Sequence, residues 1–262
     1  MADLSVLILA KNEEKNIKDC IESVLPIANE IVVVDDESTD NTAEIAEKLG
    51  ARVVRRAMNG NWGEQQTFAI NEARCEWGYI IDADERMTPE LGAAIKKAIA
   101  GERIAYRNAR LNFFYGQPLR HGGWYPDYGL HLLPLKGAYV TGRVHQKIHH
   151  PYVEQSFPEA LHLIHYPYRN WEHYFGKFNR YTELAALKYI DEGKKVHFYD
   201  IFLHPIAAFF KMYIWKAGWR DGKIGLILAL FHFFYTMAKY VKFYYLIQGK
   251  QKTNGGKRID YD

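Results

Sequence analysis

Between residue 4 and about residue 100, apolar runs of strand length alternate with segments whose apolar residues recur at helical spacing. That alternation is the pattern of βαβ units, in which parallel strands are joined by helical crossovers. The expected strands are Leu4 to Leu9, Glu30 to Val34, Ala51 to Val54 and Trp77 to Ile81. Helices are expected over Glu14 to Ser23, Asn41 to Leu49, Gly63 to Ala73 and Pro89 to Ala100. Asp40 is placed to cap the second helix, Gly50 to end it, and Thr88-Pro89-Glu90 to open the fourth with a cap, a first-turn proline and an early acid. In an open parallel sheet, ligands bind outside the carboxyl ends of the strands. Lys11-Asn12-Glu13, Asp35-Asp36 and Asp82-Ala83-Asp84 should therefore line one crevice.

Two of those strand ends are strongly acidic. Asp82, Asp84 and Glu85 follow one apolar run, and Asp35-Asp36-Glu37-Ser38-Thr39-Asp40 follows another. Gathered carboxylates suit a hard divalent cation such as Mg²⁺ or Mn²⁺, which prefers oxygen ligands and leaves positions open for phosphates. A lone D-x-D is as readily a solvated loop; two acidic strand ends in one α/β region point to a single site. The crevice is not of the dinucleotide type, because Ala10-Lys11-Asn12-Glu13-Glu14 stands where a G-x-G-x-x-G turn is needed, and no Walker A loop is present.

With 48% hydrophobic residues and no low-complexity tract, the chain can bury a substantial core. A net charge of +3 gives no ground for nucleic-acid binding. Cys20 and Cys75 make no disulfide framework, and no basic segment followed by an apolar stretch opens the chain. A reducing cytosol is the expected compartment.

Residues 104 to 166 are rich in aromatics, Gly and His, with strand-like runs at Tyr106 to Phe114 and Leu130 to Leu135. Between them, Arg120-His-Gly-Gly-Trp-Tyr-Pro-Asp127 reads as an irregular loop. It either presents Trp124 and Tyr125 for stacking on a sugar, with Asp127 as proton acceptor, or forms a buried aromatic corner with Asp127 as a turn cap. After residue 168 the chain reads as helical and apolar. The run Ile224 to Ala238 is 15 residues long, short of the roughly 20 that span a bilayer. Lys239, Lys242, Tyr240, Tyr244 and Tyr245 follow it, a mixture suited to an anionic membrane interface, and Ile201 to Trp215 is a second apolar stretch. A core helix or a homo-oligomer contact are the alternatives.

The motifs Leu4-Ser-Val-Leu-Ile-Leu-Ala-Lys-Asn-Glu-Glu14, Ile31-Val-Val-Val-Asp-Asp-Glu-Ser-Thr-Asp-Asn-Thr42 and Asp82-Ala-Asp-Glu85 together resemble the family 2 inverting glycosyltransferases of GT-A fold. Later segments, His121-Gly-Gly-Trp-Tyr-Pro-Asp127, Arg143-Val-His145, His165-Tyr166, Asn179-Arg-Tyr-Thr182 and Lys211-Met-Tyr213, resemble the bacterial branch of lipopolysaccharide-core β-1,4-glucosyltransferases. The resemblance implies a GT-A nucleotide-sugar and catalytic domain over residues 1–167 and a helical region over 168–262 that meets a membrane or another copy. It implies transfer of a hexose, glucose foremost, from a UDP-sugar to a lipid-linked saccharide at the cytoplasmic face of the inner membrane. Carried onto this chain, Asn12, Glu13, Asp35, Asp36, Asp82 and Arg143 would hold the nucleotide sugar, and Asp84 with His145 would bind Mg²⁺ or Mn²⁺. Trp124, Tyr125 and Arg180 would meet the acceptor, and Asp127 would be the general base.

Two departures stand out. The usual Val-His-Glu reads Val144-His145-Gln146, and a basic residue and Asn expected after the third strand read Gln66-Thr67. Gln146 cannot act as a base, which favours Asp127, while Arg143, His145 or Arg180 would have to supply the missing positive charge. His145 can equally be structural, as can His149, His150, His162 and His165, whose spacing does not demand zinc. A sugar nucleotidyltransferase and a non-catalytic, membrane-associated adaptor, which keeps the nucleotide-sugar-binding fold but binds nucleotide weakly or not at all, are the competing functions.

Overall fold

The computed structural model describes residues 3–142, 146–168 and 170–253. Its strands are β1 (Leu4–Ala10), β2 (Glu30–Asp35), β3 (Arg52–Arg55), β4 (Trp77–Asp82), β5 (Glu85–Met87), β6 (Ala105–Phe114), β7 (Gln117–Pro118), β8 (Asp127–Pro134), β9 (Tyr139–Thr141), β10 (Lys147–His149), β11 (Glu154–Ser156) and β12 (His162–His165). Helices α1 (Ile17–Val24), α2 (Thr42–Lys48), α3 (Trp62–Glu72) and α4 (Pro89–Ile99) fall among the first strands, followed by α5 (Trp171–Asp191), α6 (Asp200–Phe210) and α7 (Gly222–Thr253). The chain divides into two compact units, Met1–Phe113 with Pro126–Pro167, and Phe114–Tyr125 with Tyr168–Asp262.

In the first unit the main sheet runs in the order β3-β2-β1-β4-β8-β6-β12-β5. Strands β3, β2, β1 and β4 are parallel, as the alternation requires. β1 is apolar at nearly every position because both its faces are covered. Leu4, Val6 and Ile8 pack on one side with α1, α2 and α4, while Leu7 and Leu9 pack on the other with Ala69 and Ile70 of α3. Truncating one of these buried leucines or isoleucines to Ala would cost about 2–5 kcal/mol. The α2 start differs by one residue from the expected cap. Asn41 holds the capping position without a side-chain bond, and Asp40 instead accepts from the Thr42 N–H (3.0 Å) and the Glu14 N–H (3.2 Å). Thr88 caps α4 as expected, accepting from the Leu91 N–H.

Beyond β4 the sheet becomes mixed and curls. Three strands lie between β4 and β5 in the sheet, yet only Ala83 and Asp84 separate them in sequence. Four strand spacings amount to about 19 Å, whereas three residue steps reach about 11 Å. The far edge must therefore fold back toward β4, and the acidic turn is what joins them.

The second unit is built around an aromatic cluster. Phe114, Leu119, Tyr174, Met212, Leu228 and Ala229 are buried together, with Trp124 packed against them. A π-helical turn, Lys211–Trp215, and a 3-10 turn, Gly218–Asp221, connect α6 to α7. The helix at Gly218–Gly249 is long and apolar enough, by length and composition, to cross a bilayer. Lys239 and Lys242, read from sequence as a membrane-facing flank, are turned toward α5 instead. Lys242 Nζ donates to the Asn179 carbonyl and Oδ1 (2.8 Å each) and to Thr182 Oγ1 (3.0 Å). Lys239 Nζ donates to Tyr189 Oη (3.3 Å) and lies 4.9 Å from that ring's centroid.

Candidate active site

The loops after β1 and β2 are bound to each other. Asn12 has φ of 54°, a left-handed conformation that Asn tolerates better than most residues. Its N–H donates to Ser38 Oγ (2.9 Å), and its Oδ1 accepts from the Thr39 N–H (2.8 Å). The Glu13 N–H donates to Thr42 Oγ1 (2.7 Å), and its carboxylate accepts from Asn16 (2.7 Å). In the structure, Asn12 and Glu13 hold the rim of the crevice in shape.

Asp35 and Asp36 behave differently although they are adjacent. Asp36 accepts from Lys11 Nζ (2.9 Å) on one oxygen and from the Met58 N–H (2.7 Å) on the other, tying three loops together. Asp35 is 1% exposed; Oδ2 accepts from the Ser38 N–H (3.1 Å), while Oδ1 is buried without a hydrogen-bond partner among the described residues. A buried carboxylate oxygen left that way is costly unless something donates to it. Asp35 also lines a cavity of about 310 Å³ together with Glu37, Ser38, Arg55, Arg56 and Ala57. Arg55 and Arg56, at the end of β3, bring positive charge to this region. Gln65 of α3 holds Arg56, its amide donating to the Arg56 carbonyl (2.8 Å) and its carbonyl accepting from the guanidinium.

The turn from β4 to β5 sorts its three carboxylates. Asp82 and Asp84 are partly exposed, whereas Glu85 is 0% exposed and turned inward, its Oε2 accepting from the Asp82 N–H (2.9 Å). Glu85 therefore does not join the other two as an outward oxygen donor. Burial, and then the Asp82 charge, push the Glu85 carboxyl well above the ordinary carboxylate range, against the pull of His165 and Arg110. Asp84 Oδ1 lies 3.6 Å from His165 Nε2, and His165 Nδ1 pairs with Asn112 Oδ1 (2.7 Å). Burial works against a charged His165 ring, but Asp84 and Glu85 outweigh it and raise the pKa. Arg86 braces the backbone by donating to the Ala83 and Glu85 carbonyls (2.9 and 2.8 Å). Beneath the turn the buried, free Cys20 directs its thiol at the Asp82 carbonyl (3.5 Å).

Asp127 opens β8 and is not a turn cap. Among the described residues, both hydrogen bonds to its side chain come from Arg110, Nε at 3.0 Å and NH2 at 2.6 Å, and both fall on Oδ2; the side chain is 44% exposed. Arg110 NH1 also lies 3.5 Å from Glu85 Oε1. Burial opposes the charge on Arg110, yet Glu85, Asp127 and Asp82 hold its pKa above the ordinary value. One arginine thus connects the acidic turn to Asp127.

The arrangement follows from strand register. Arg110 pairs with Asp127 and, two residues along β6, Asn112 pairs with His165 and His165 with Glu85, placing these polar side chains on one face of β8, β6, β12 and β5. Below it, Tyr79 Oη donates to Asn108 Oδ1 (3.0 Å). His131 Nδ1–H donates to the Ile80 carbonyl (2.7 Å), its ring so close to Gly129 that a Cβ there would fall 2.5 Å from Nε2. Burial depresses the His131 pKa to about 4. As pH falls from the unfolded histidine value of roughly 6.5, the unfolded chain takes up a proton that the native ring refuses. His131 should therefore cost about 3 kcal/mol of stability by pH 4. Glu85 titrates in the opposite sense, so the comparison with His131→Gln isolates the effect: unfolding followed from pH 7 to 4 should show a flatter decline in the variant, and parallel curves would remove the assignment.

Trp124, Tyr125 and Arg180 belong to the second unit, where Trp124 is packed on the aromatic cluster and Arg180 is exposed on α5. Arg143 and His145 lie outside the described residues. Sequence reasoning missed Arg110, Asn112 and the role of His165. The available signal was polarity with a period of two in Asn108-Ala-Arg-Leu-Asn112 and Asp127-Tyr-Gly-Leu-His131, which marks a polar strand face just as apolar alternation marks a buried one.

The sequence model of glycosyl transferase family 2 matches residues 5–140, just over half the chain. A lipopolysaccharide core biosynthesis glycosyltransferase, LpsC, from Rhizobium meliloti is 30% identical over 92% of this chain and 92% of its own length. An uncharacterized glycosyltransferase from Rickettsia typhi is 29% identical over 91% of this chain and 87% of its own. Among solved structures, a glucosyl-3-phosphoglycerate synthase from Mycobacterium tuberculosis, crystallised with Mn²⁺, UDP and glucosyl-3-phosphoglycerate, is 26% identical, with a TM-score of 0.36 over 43% of this chain and 44% of that one. The acidic strand ends at Asp35 and Asp82 to Asp84 both fall inside the matched segment, and the chain belongs to glycosyltransferase family 2, with the GT-A fold.

Proposed function

We propose that the protein transfers a hexose, glucose foremost, from a UDP-sugar to a lipid-linked saccharide of the lipopolysaccharide core, with inversion, at the cytoplasmic face of the inner membrane. The observation that carries this proposal is the Arg110 bridge, which ties a partly exposed carboxylate, Asp127, to Glu85 beside the Asp82–Asp84 turn. The acceptor class rests on the similarity to LpsC, named for lipopolysaccharide core biosynthesis.

Asp35 Oδ1 needs a donor, and the N–H of a uracil ring, flanked by carbonyls, is of the right kind; the cavity it lines is of nucleoside size. Asp84, with Asp82 in support, would hold Mg²⁺ or Mn²⁺. Among the described residues no cluster of three His, Cys, Asp or Glu side chains is placed to cage a metal. One or two carboxylates completed by substrate phosphates are the usual arrangement for a magnesium-like ion, so the residues present fit. When bound, the cation neutralises charge on the departing diphosphate. Asp127 takes the proton of the acceptor hydroxyl as that oxygen attacks the anomeric carbon from the side opposite the diphosphate. Because Arg110 occupies Oδ2, Oδ1 is the oxygen that receives the proton. A single displacement inverts the sugar and needs no covalent intermediate.

Thermal unfolding of the purified protein with Mn²⁺ and, separately, UDP-glucose, UDP-galactose, UDP-N-acetylglucosamine and GDP-mannose tests the donor. A UDP-sugar present at about 100 times its dissociation constant should add roughly 2.7 kcal/mol. Asp35→Ala should weaken that binding about tenfold or more, the cost of a lost charged hydrogen bond. No shift with any donor would point to the non-catalytic adaptor.

A further inference from the structure

The second unit carries an apolar surface that its own helices do not cover. Phe202, Ile206 and Phe210 are exposed along α6 at helical spacing, and Leu226, Leu230 and Phe234 along α7. The turn between these helices carries Ile214, Trp215 and Trp219; Trp215 is 89% exposed. Four exposed cations, Lys211, Lys216, Arg220 and Lys223, surround this aromatic turn.

Charge decides what covers it. From residue 201 to 223 the sequence has a single acid, Asp221, and that carboxylate is spent internally. It pairs with His121 Nδ1 (2.6 Å) and accepts from the backbone N–H groups of His121 (2.9 Å) and Arg120 (3.3 Å), with its side chain 7% exposed. The surface of the turn is therefore cationic without compensation. A second copy of the chain would oppose like charges across such a contact, whereas an anionic leaflet complements them. Indole rings beside lysine and arginine are also the chemistry of the lipid–water interface.

We propose that the turn from Lys211 to Lys223 inserts Trp215 and Trp219 into an anionic lipid leaflet, with Lys211, Arg220 and Lys223 on its headgroups. The inference rests on the proposed lipid-linked acceptor and identifies where the chain meets the membrane that holds it. The membrane contact thereby moves from the Lys239–Tyr245 segment to the α6–α7 turn.

Flotation of the full chain with phosphatidylcholine vesicles, with and without phosphatidylglycerol, tests the proposal. Wild type should float with the anionic vesicles and lose them at high salt. Trp215→Ser/Trp219→Ser should lower partitioning about tenfold or more, as should Lys211→Gln/Arg220→Gln/Lys223→Gln. Brominated phospholipids should quench the tryptophan fluorescence of wild type more than that of the tryptophan double variant. Unchanged flotation and quenching in the variants would overturn the proposal, as would concentration-dependent dimers that dissociate on replacing Trp215. The donor-induced thermal shift, measured on the same proteins, separates the two claims. A variant that keeps the shift and vesicle binding refutes the membrane turn alone, and a wild type that floats but shows no donor shift refutes the transferase alone.

Discussion

Asp84→Ala should reduce sugar transfer by roughly 10²–10³-fold or more, while the protein stays folded. The side chain is partly exposed and faces His165, whereas side-chain bonds from Arg86, Glu85 and Cys20 brace the β4–β5 turn. Its loss removes the principal oxygen donor proposed for the cation and leaves leaving-group charge uncompensated. Initial rates measured over a range of Mn²⁺ concentrations check this. Partial recovery at high Mn²⁺ identifies a metal ligand, and near-wild-type turnover at ordinary Mn²⁺ removes Asp84 from that role. Glu85→Ala should instead act on folding, because it withdraws an internal carboxylate from the Asp82 N–H and Arg110.

Asp127→Asn is expected to leave the Kd for the UDP-sugar close to wild type and to lower kcat by about 10²–10⁴-fold. The amide retains an oxygen for Arg110, so the bridge survives while the proton acceptor is lost. Calorimetric titration with donor and Mn²⁺, paired with single-turnover transfer, separates binding from chemistry. A parallel loss of stability and donor affinity would mean that Asp127 only maintains structure.

The parallel half of the sheet was legible because its strands are buried on both faces: a continuous run such as Ile31 to Val34 has few other places to go. The acidic strand ends were legible from the same pattern, since the register of a parallel sheet fixes where its loops emerge. Strands β5, β11 and β12 were not, because three or four residues carry too little periodicity to announce a strand. Glu85 looked like a third surface carboxylate because its inward turn depends on β5 pairing with β12, a contact made far along the sequence. Lys239 and Lys242 looked like a membrane flank because their partners on α5 lie 50 and 63 residues away. Composition marked an apolar, cation-flanked segment; only the helix packing showed which of its cations are paired internally.

The reach of Ala83 and Asp84 limits how this enzyme can diversify. The two residues join a central strand to a distant edge through a tight turn, so an insertion between Asp82 and Glu85 would shift the edge strand and misplace Asp84 in one event. New specificities must therefore arise elsewhere, through loops whose length the sheet does not constrain.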